Sequence, residues 1–314
     1  MQKKRMLLIC TTCALLAALA FLTHKFTTVE PSYGGRPLSY WVAILGSSPP
    51  PSDEEKAKSA IDHIGADALP FLVKWIQYEN PPRWRGTLGN LVYRTHFPFA
   101  DRLSVWITGG SAGYLAQGAR HAFALLGRRA TPAFGDLCRL INDTNSRYTA
   151  TFAAGALGFL GTNALYPLLT VATKAQHPAR LAAIRAIGNI SDLGAAPLVV
   201  STITNCLDPT NHPNVQRFAI IALGNLKASP EISVPALLSC LNSSNPKLRC
   251  ASADALGEFC SQAAAAIPAL TNALTDANSD VRDKAAIALH RIDPATFTNL
   301  PPRAIVVFPL RLHP

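Results

Sequence analysis

The sequence predicts an all-α protein, an α-solenoid in which helical hairpins stack into a right-handed superhelix. Three observations carry that prediction. A proline recurs in a short apolar setting at Pro70, Pro132, Pro167, Pro197, Pro235 and Pro268, and after a first interval of about two units the spacing settles to between 30 and 38 residues. Ahead of the later prolines, an alanine-rich stretch closes on an apolar residue and a glycine: Leu157-Gly158, Ile187-Gly188, Leu223-Gly224 and Leu256-Gly257. Self-similarity at such a period marks stacked supersecondary units, not separate domains. The composition agrees, since 49% hydrophobic and 15% charged residues exclude a largely disordered chain.

Taken in order, the chain opens with Lys3, Lys4 and Arg5 ahead of an uncharged apolar run, Met6 to Leu22. A positive flank before an apolar core is the order of a signal peptide or N-terminal membrane anchor, here residues 1–24. Ala18-Leu19-Ala20 offers a small-x-small cleavage pattern, and either outcome places the body outside the cytoplasm. Residues 25–51 read as a linker and a short capping helix. In that stretch Lys25 to Pro37 is a tether, and Leu38 to Leu45, with Trp41, is an amphipathic lid. Ser52-Asp53-Glu54-Glu55 fits a capping box that begins the first full helix. The solenoid then occupies 52–293 in about seven units, diverged or interrupted at 81–120, with the last unit lacking its second helix. A proline-rich apolar tail, 294–314, contains Ala304 to Phe308, read as folding back near Ile287, with an edge strand for a partner as the rival reading.

Within a unit, Ala182, Ala183, Ala186 and Ile187 recur at three- and four-residue steps, one face of a helix. The glycine after that face suits a left-handed helix stop, and the proline suits the first turn of the second helix, where no N–H is needed. The loops between units carry Gln176-His177-Pro178, Asn211-His212-Pro213 and Asn245-Pro246-Lys247, and arginine follows soon after, as in Leu248-Arg249 and Val281-Arg282.

An alanine-rich first helix, then x-Leu-Gly, then x-Pro-x-Leu, then Asp/Asn-x-x-Val-Arg resembles the HEAT repeat, in the form found in phycobilisome-lyase-type proteins. The resemblance covers about Lys56 to Ile292 and is cleanest from Arg147 onward. It implies an α-solenoid scaffold that binds proteins or peptides. Some members resemble bilin-attaching enzymes, but no residue set here carries that chemistry over.

Candidate chemistry is sparse. Gly109-Gly110-Ser111-Ala112-Gly113 matches the G-x-S-x-G nucleophile elbow, yet no strand–helix alternation exists to build the sheet that elbow needs, so a glycine loop is the reading adopted. His177 and His212 occupy matching loops, at a helix-to-helix separation of roughly 8–10 Å, too far for a shared zinc. Cys138, Cys206, Cys240, Cys250 and Cys260 all fall in apolar helical patterns and read as buried free thiols. No catalytic residue, metal or cofactor is therefore expected.

Two surfaces stand out. Arg83, Trp84, Arg85, Arg94, Trp106, Arg128 and Arg129 form a basic–aromatic patch, the composition of protein hot spots and of single-strand stacking platforms. Counting four and seven residues past each proline marks one face of the second helices, which line the concave side in this family. It yields a groove of Lys74, Gln77, Arg139, Lys174, Ser201, Thr204, Ser239, Asn242, Asn272 and Thr275, with Val171 in the same row. The groove is positive toward its N-terminal end and neutral beyond, suited to an acidic or polar peptide.

The net charge of +10 favours acidic partners. The reading is a non-catalytic protein-interaction scaffold in the cell envelope, touching the membrane through residues 6–22 if that run is kept. The runner-up is a lyase-related enzyme or accessory of the bilin type. A third reading is polyanion binding through the arginine-rich segment 81–140; nucleic acid itself is not expected, because a secreted body rarely meets it.

Overall fold

The computed structural model describes residues 29–47, 49–77, 83–94, 110–190 and 197–298. The apolar run Met6–Leu22, the tail segment Ala304–Phe308 and Trp106 lie outside the described residues. Among the described residues no helix is long and apolar enough to cross a membrane. The order is a hairpin, β1 (Ser32–Tyr33) and β2 (Arg36–Pro37), then α1 (Leu38–Gly46), α2 (Pro51–Ile64), α3 (Leu69–Ile76), α4 (Arg83–Tyr93), α5 (Gly110–Leu126), α6 (Phe134–Ile141), α7 (Arg147–Leu157), α8 (Leu165–Thr173), α9 (Arg180–Ile187), α10 (Pro197–Asn205), α11 (Pro213–Leu226), α12 (Pro230–Leu241), α13 (Pro246–Glu258), α14 (Ile267–Ala273) and α15 (Ser279–Ile292).

First helices α5, α7, α9, α11, α13 and α15 pack in sequence, and the second helices α6, α8, α10, α12 and α14 each lie against the first helix that follows, around one continuous apolar core. That core runs from Leu38 through Phe123, Leu157 and Leu223 to Leu289, all fully buried. Among the described residues no helix follows α15. Phe297 packs on the core beyond it, its N–H donating to the Asp293 carbonyl at 3.2 Å.

The glycine that ends each alanine-rich stretch has a different job from the one predicted. Gly158 and Gly188 have right-handed φ of −59° and −64°, so no left-handed stop occurs there. A Cβ on Gly158 would lie 2.8 Å from the Ala186 Cβ, on Gly188 2.8 Å from the Ala222 Cα, on Gly224 2.9 Å from the Ala255 Cα, and on Gly257 2.9 Å from the Ala288 Cα. Each glycine admits the backbone of the next first helix, and Ala-x-Gly in one unit both receives and delivers the contact. At the end of the ladder, Ala288 is followed by His290 where a glycine would stand, and no further first helix follows among the described residues.

The left-handed residue sits three positions later, at Gly161 (φ 82°), Lys227 (49°) and Cys260 (49°), and Gly127 (52°) follows α5, where Ala124 stands in place of the glycine. Cys260 is exposed there, which corrects its reading as a buried thiol. A side chain in that conformation costs roughly 1 kcal/mol, so Cys260→Gly is expected to stabilise the chain by about that amount, read as a rise in the urea midpoint. No change, or a fall, would show that the strain is absorbed elsewhere. All five described cysteines are free; Cys206 and Cys240 are buried, Cys138 and Cys250 half-buried.

The N-terminal end differs from its prediction in two ways. Residues 32–37 form the two-stranded hairpin through Gly34-Gly35 and are not a tether. Trp41 donates from Nε1 to the Tyr33 carbonyl at 3.1 Å, and the Tyr33 ring lies 4.8 Å from His63. The short capping helix expected over Leu38 to Leu45 forms as α1, packed against α2 and α5 with Trp41 buried. There, Cβ atoms on Gly46 and Gly118 would overlap the Tyr114 and Val42 carbonyls respectively. The capping box is not made either. Pro51 takes the first helical position, so α2 starts a residue early with Pro50 as its cap, without a side-chain bond. Ser52 is thereby drawn inside the helix. The segment read as diverged, 81–120, contains α4 and the start of α5, and α5 serves as first helix of the Pro132 unit.

The recurrent prolines sit in the first turn of α3, α8, α10 and α14, as predicted. Two do not. Pro132 lies in the 3-10 segment Gly127–Ala133, and Pro235 is inside α12 because Pro230 starts that helix earlier.

Candidate functional site

The inter-unit loops show why their signature residues are there. His212 Nδ1 accepts from the Asn214 N–H (3.1 Å), Asn245 Oδ1 from Lys247 N (3.0 Å), and Asn278 Oδ1 from Asp280 N (3.0 Å) and Val281 N (3.2 Å). His177 Nδ1 accepts likewise from Ala179 N (3.2 Å). These side chains satisfy the orphan amides at helix starts. Of the two histidines in matching loops, His212 is the N-cap of α11, whereas His177 binds the N–H of Ala179, the residue that precedes α9. One turn later, a long polar side chain closes the loop. Arg180 donates to the Ala172 carbonyl, Gln216 to the Asp208 and Asn211 carbonyls, Arg249 to Ser243 and Ser244, and Arg282 to Asp276 and Ala277. The sequence shows this residue without revealing its bond.

Lys74, Arg139, Ser201, Ser239 and Asn272 on the second helices, and Gln77, Lys174, Asn242 and Thr275 just past the ends of theirs, are exposed. Thr204 is half-buried, with a hydroxyl that has no partner. Val171, counted in the same row, is buried at 1%, because α8 turns that position onto the core. Several members are already engaged. Arg139 pairs with Asp136 at 3.1 Å, Gln77 donates to the Val73 carbonyl, and Ser201, Ser239 and Thr275 donate to carbonyls of their own helices.

The basic–aromatic patch does not gather as one surface among the described residues. Arg83 and Trp84 are described only as backbone of α4, Arg85 is half-buried and engaged, and Arg94 is exposed. Arg128 lies against Gly161 of the following unit, whereas Arg129 reaches back to Asp62 of α2. Gly110 to Gly113 form the first turn of α5.

The outer face of the first helices holds the stronger electrostatics, which the sequence reading missed. Arg120 crosses α7 over Gly155, where a Cβ would stand 3.2 Å from its Cδ. It donates to His121 Nε2 at 3.3 Å, and His121 Nδ1 lies 2.8 Å from the Leu45 carbonyl. Both bonds hold only if Nδ1 carries the proton, so the ring is neutral. Burial, with the Arg120 charge adding, pushes the His121 pKa below its ordinary value against the pull of the Leu45 carbonyl. Burial also lowers the pKa of Arg120, with the nearby Arg185 charge adding, and burial alone lowers that of Arg185.

Farther along the same face, between α11 and α13, lies a cleft of about 460 Å³ lined by Arg217, Ile221, Cys250, Ala251, Asp254 and others. There the charges close on themselves. Lys284 meets Asp254 at 3.1 Å, Arg291 meets Glu258 at 2.7 Å, and Lys227 meets Glu258 at 2.8 Å. Among the described residues no group of three or more His, Cys, Asp or Glu side chains is placed to hold a metal.

A family model for HEAT repeats matches residues 200–290. Among solved structures, Kap121p aligns with a TM-score of 0.52 at 15% identity, covering 81% of this chain and 29% of that one. The chain is an α-solenoid. The complex of CpcE and CpcF of phycocyanin lyase from Nostoc sp. PCC7120 aligns at 24% identity over 50% of this solenoid and 98% of that chain, TM-score 0.42. A computationally designed armadillo repeat protein for modular peptide recognition aligns at 16% identity, covering 72% of this solenoid and all of that chain, TM-score 0.40. No curated protein matches the chain.

Proposed function

We propose that this solenoid is a non-catalytic scaffold outside the cytoplasm, held in or released to the cell envelope by its first segment, and that it engages a protein or peptide along the second-helix row. The observation behind the reading is the register: Lys74, Ser201, Ser239 and Asn272 are exposed four residues past their prolines, and Gln77, Arg139, Lys174, Asn242 and Thr275 seven past. A row with a helix-to-helix step suits an extended chain that touches each unit in turn. Kap121p, a solenoid neighbour, is known in a structure bound to Pho4p.

The test is site-specific photocrosslinking from position 239 in the cells that make the protein, followed by Arg139→Glu with Lys174→Glu. The expected result is one dominant adduct whose yield falls severalfold in the double variant. An unchanged adduct would refute the row as the binding surface. Addition of a linear tetrapyrrole is expected to leave the absorbance of the pigment unaltered, whereas a protein-dependent spectral change would establish the lyase-related reading instead.

A further inference from the structure

The arginines of the first-helix face divide into two groups. Toward the C-terminus three cations share two carboxylates: Lys284 and Arg291 on Asp254, Arg291 and Lys227 on Glu258. Toward the N-terminus Arg120, Arg185 and Arg217 are half-buried, and none has an acidic partner among the described residues. Arg120 and Arg217 each keep a buried Nε with no acceptor. Arg217 lies over the Phe218 ring, 5.0 Å to its centroid, and borders the cleft.

Partly desolvated guanidiniums without carboxylates are costly unless something supplies the negative charge. Gly155 is what makes the arrangement fit. Its missing side chain leaves the space over α7 that Arg120 occupies, next to Arg185 of the following first helix.

We infer that this face is a second binding site, separate from the second-helix row, which takes an acidic peptide segment of a protein partner: a carboxylate between Arg120 and Arg185, and an apolar side chain in the cleft beyond Arg217. Two guanidiniums present forked donors that match a carboxylate. The cleft, on the next two first helices, offers Ile221, Ala251 and Ala255 to an apolar neighbour of that acid. Its far side carries Lys247, Asp280 and Asp254, the last already paired with Lys284 and Arg291, so the row of uncompensated cations ends there. A nucleic acid, charged at every step, would find no continuing cations; a peptide with a localised acidic end needs none. The inference does not rest on the proposed function.

The probe is a fluorescein-labelled octapeptide with two glutamates followed by two leucines, titrated by anisotropy against the full chain. Its counterpart has lysine for glutamate. Binding of the acidic peptide alone is expected, weakened at least about tenfold by Arg185→Glu, the effect of losing a partly desolvated charge pair. Gly155→Ala is expected to do the same more mildly, because its Cβ displaces the Arg120 side chain, an adjustment the helix backbone tolerates. Circular dichroism melts show whether each variant is folded.

Arg139→Glu with Lys174→Glu is expected to leave this binding intact, so failure of the second-helix row and failure of this site are told apart. Equal losses in Arg185→Glu and in the Arg139→Glu, Lys174→Glu double variant would reveal general charge attraction and overturn the site. So would folded Arg185→Glu with full affinity, or single-stranded oligonucleotide binding tighter than the peptide.

Discussion

Gly224→Val is expected to cost about 3 kcal/mol or more and to break the array in two. Nothing in the local backbone objects to a side chain there, since Gly224 lies inside α11 with ordinary helical geometry. The obstacle is the neighbour. A Cβ would come within 2.9 Å of both Cα and Cβ of Ala255, and a backbone atom cannot swing aside as a side-chain tip can. α13 must therefore move away from α11, opening the core on both sides of the contact. Overpacking costs typically about 1–3 kcal/mol, and more when the backbone must yield. At roughly 2–4 °C per kcal/mol for a body of this size, Tm should fall by about 10 °C. In a stack stabilised by nearest-neighbour interfaces, the damage should also separate unfolding of the units before α11 from those after α13, giving two transitions where the parent gives one. Differential scanning calorimetry reads both effects. Ala255→Gly in the same chain should recover only part of the loss, because the Ala255 Cα remains in the way. Gly135→Ala is the internal control: no atom lies within 4 Å of its Cβ, and alanine should there stabilise α6 by about 0.5–1 kcal/mol. Unaltered melting of Gly224→Val would show that the helix ladder is not closely packed at this point.

The same glycines show what the sequence can and cannot say. The period, the pairing of helices and the single core follow from proline spacing and alanine periodicity, both local signals. The purpose of Gly158 or Gly224 is not local, because the atom that forbids a side chain belongs to a helix some thirty residues on. Glycine serves both a left-handed turn and a close approach, and only the neighbour distinguishes them. The true left-handed positions are hidden for the opposite reason: at Lys227 and Cys260 they are not glycine. Ser52 to Glu55 satisfied the letter of a capping box, but two prolines just upstream start the helix without one. Exposure along the second-helix row followed from the proline count, apart from buried Val171 and half-buried Thr204. The arginine face was not, because Arg120, Arg185 and Arg217 come from three first helices and share no motif. Only their common lack of a carboxylate, set against the paired cations near α15, makes them a group.

Asp276 belongs to the paired side of that contrast, and removing it should be the second most damaging change. The residue stands in the loop between α14 and α15. Its two oxygens accept from Arg249 Nε at 2.7 Å and a terminal Arg249 nitrogen at 2.8 Å, and Oδ1 also takes the Asn278 N–H at 2.8 Å. Arg249 simultaneously donates to the Ser243 and Ser244 carbonyls at 2.9 and 3.1 Å. One guanidinium thus ties the loop before α13 to the loop before α15. The two side chains are 18% and 13% exposed, so water screens the pair only in part. Asp276→Ala leaves Arg249 half-satisfied and releases the loop that carries the Asn278 cap. The expected cost is about 2–3 kcal/mol, toward the low end for a broken buried pair because of that residual exposure. The Arg249 hydrogen bonds, followed by the Asn278 N–H, hold the Asp276 carboxyl below the usual carboxylate range. A group depressed in the folded state stabilises it above the unfolded pKa, near 3.9, and loses that contribution as pH falls through the folded value. Urea titrations of parent and Asp276→Ala should therefore differ by a constant amount from pH 7 to about pH 5, and converge below about pH 4. A gap that persisted at low pH would mean the aspartate acts through packing, not through its charge.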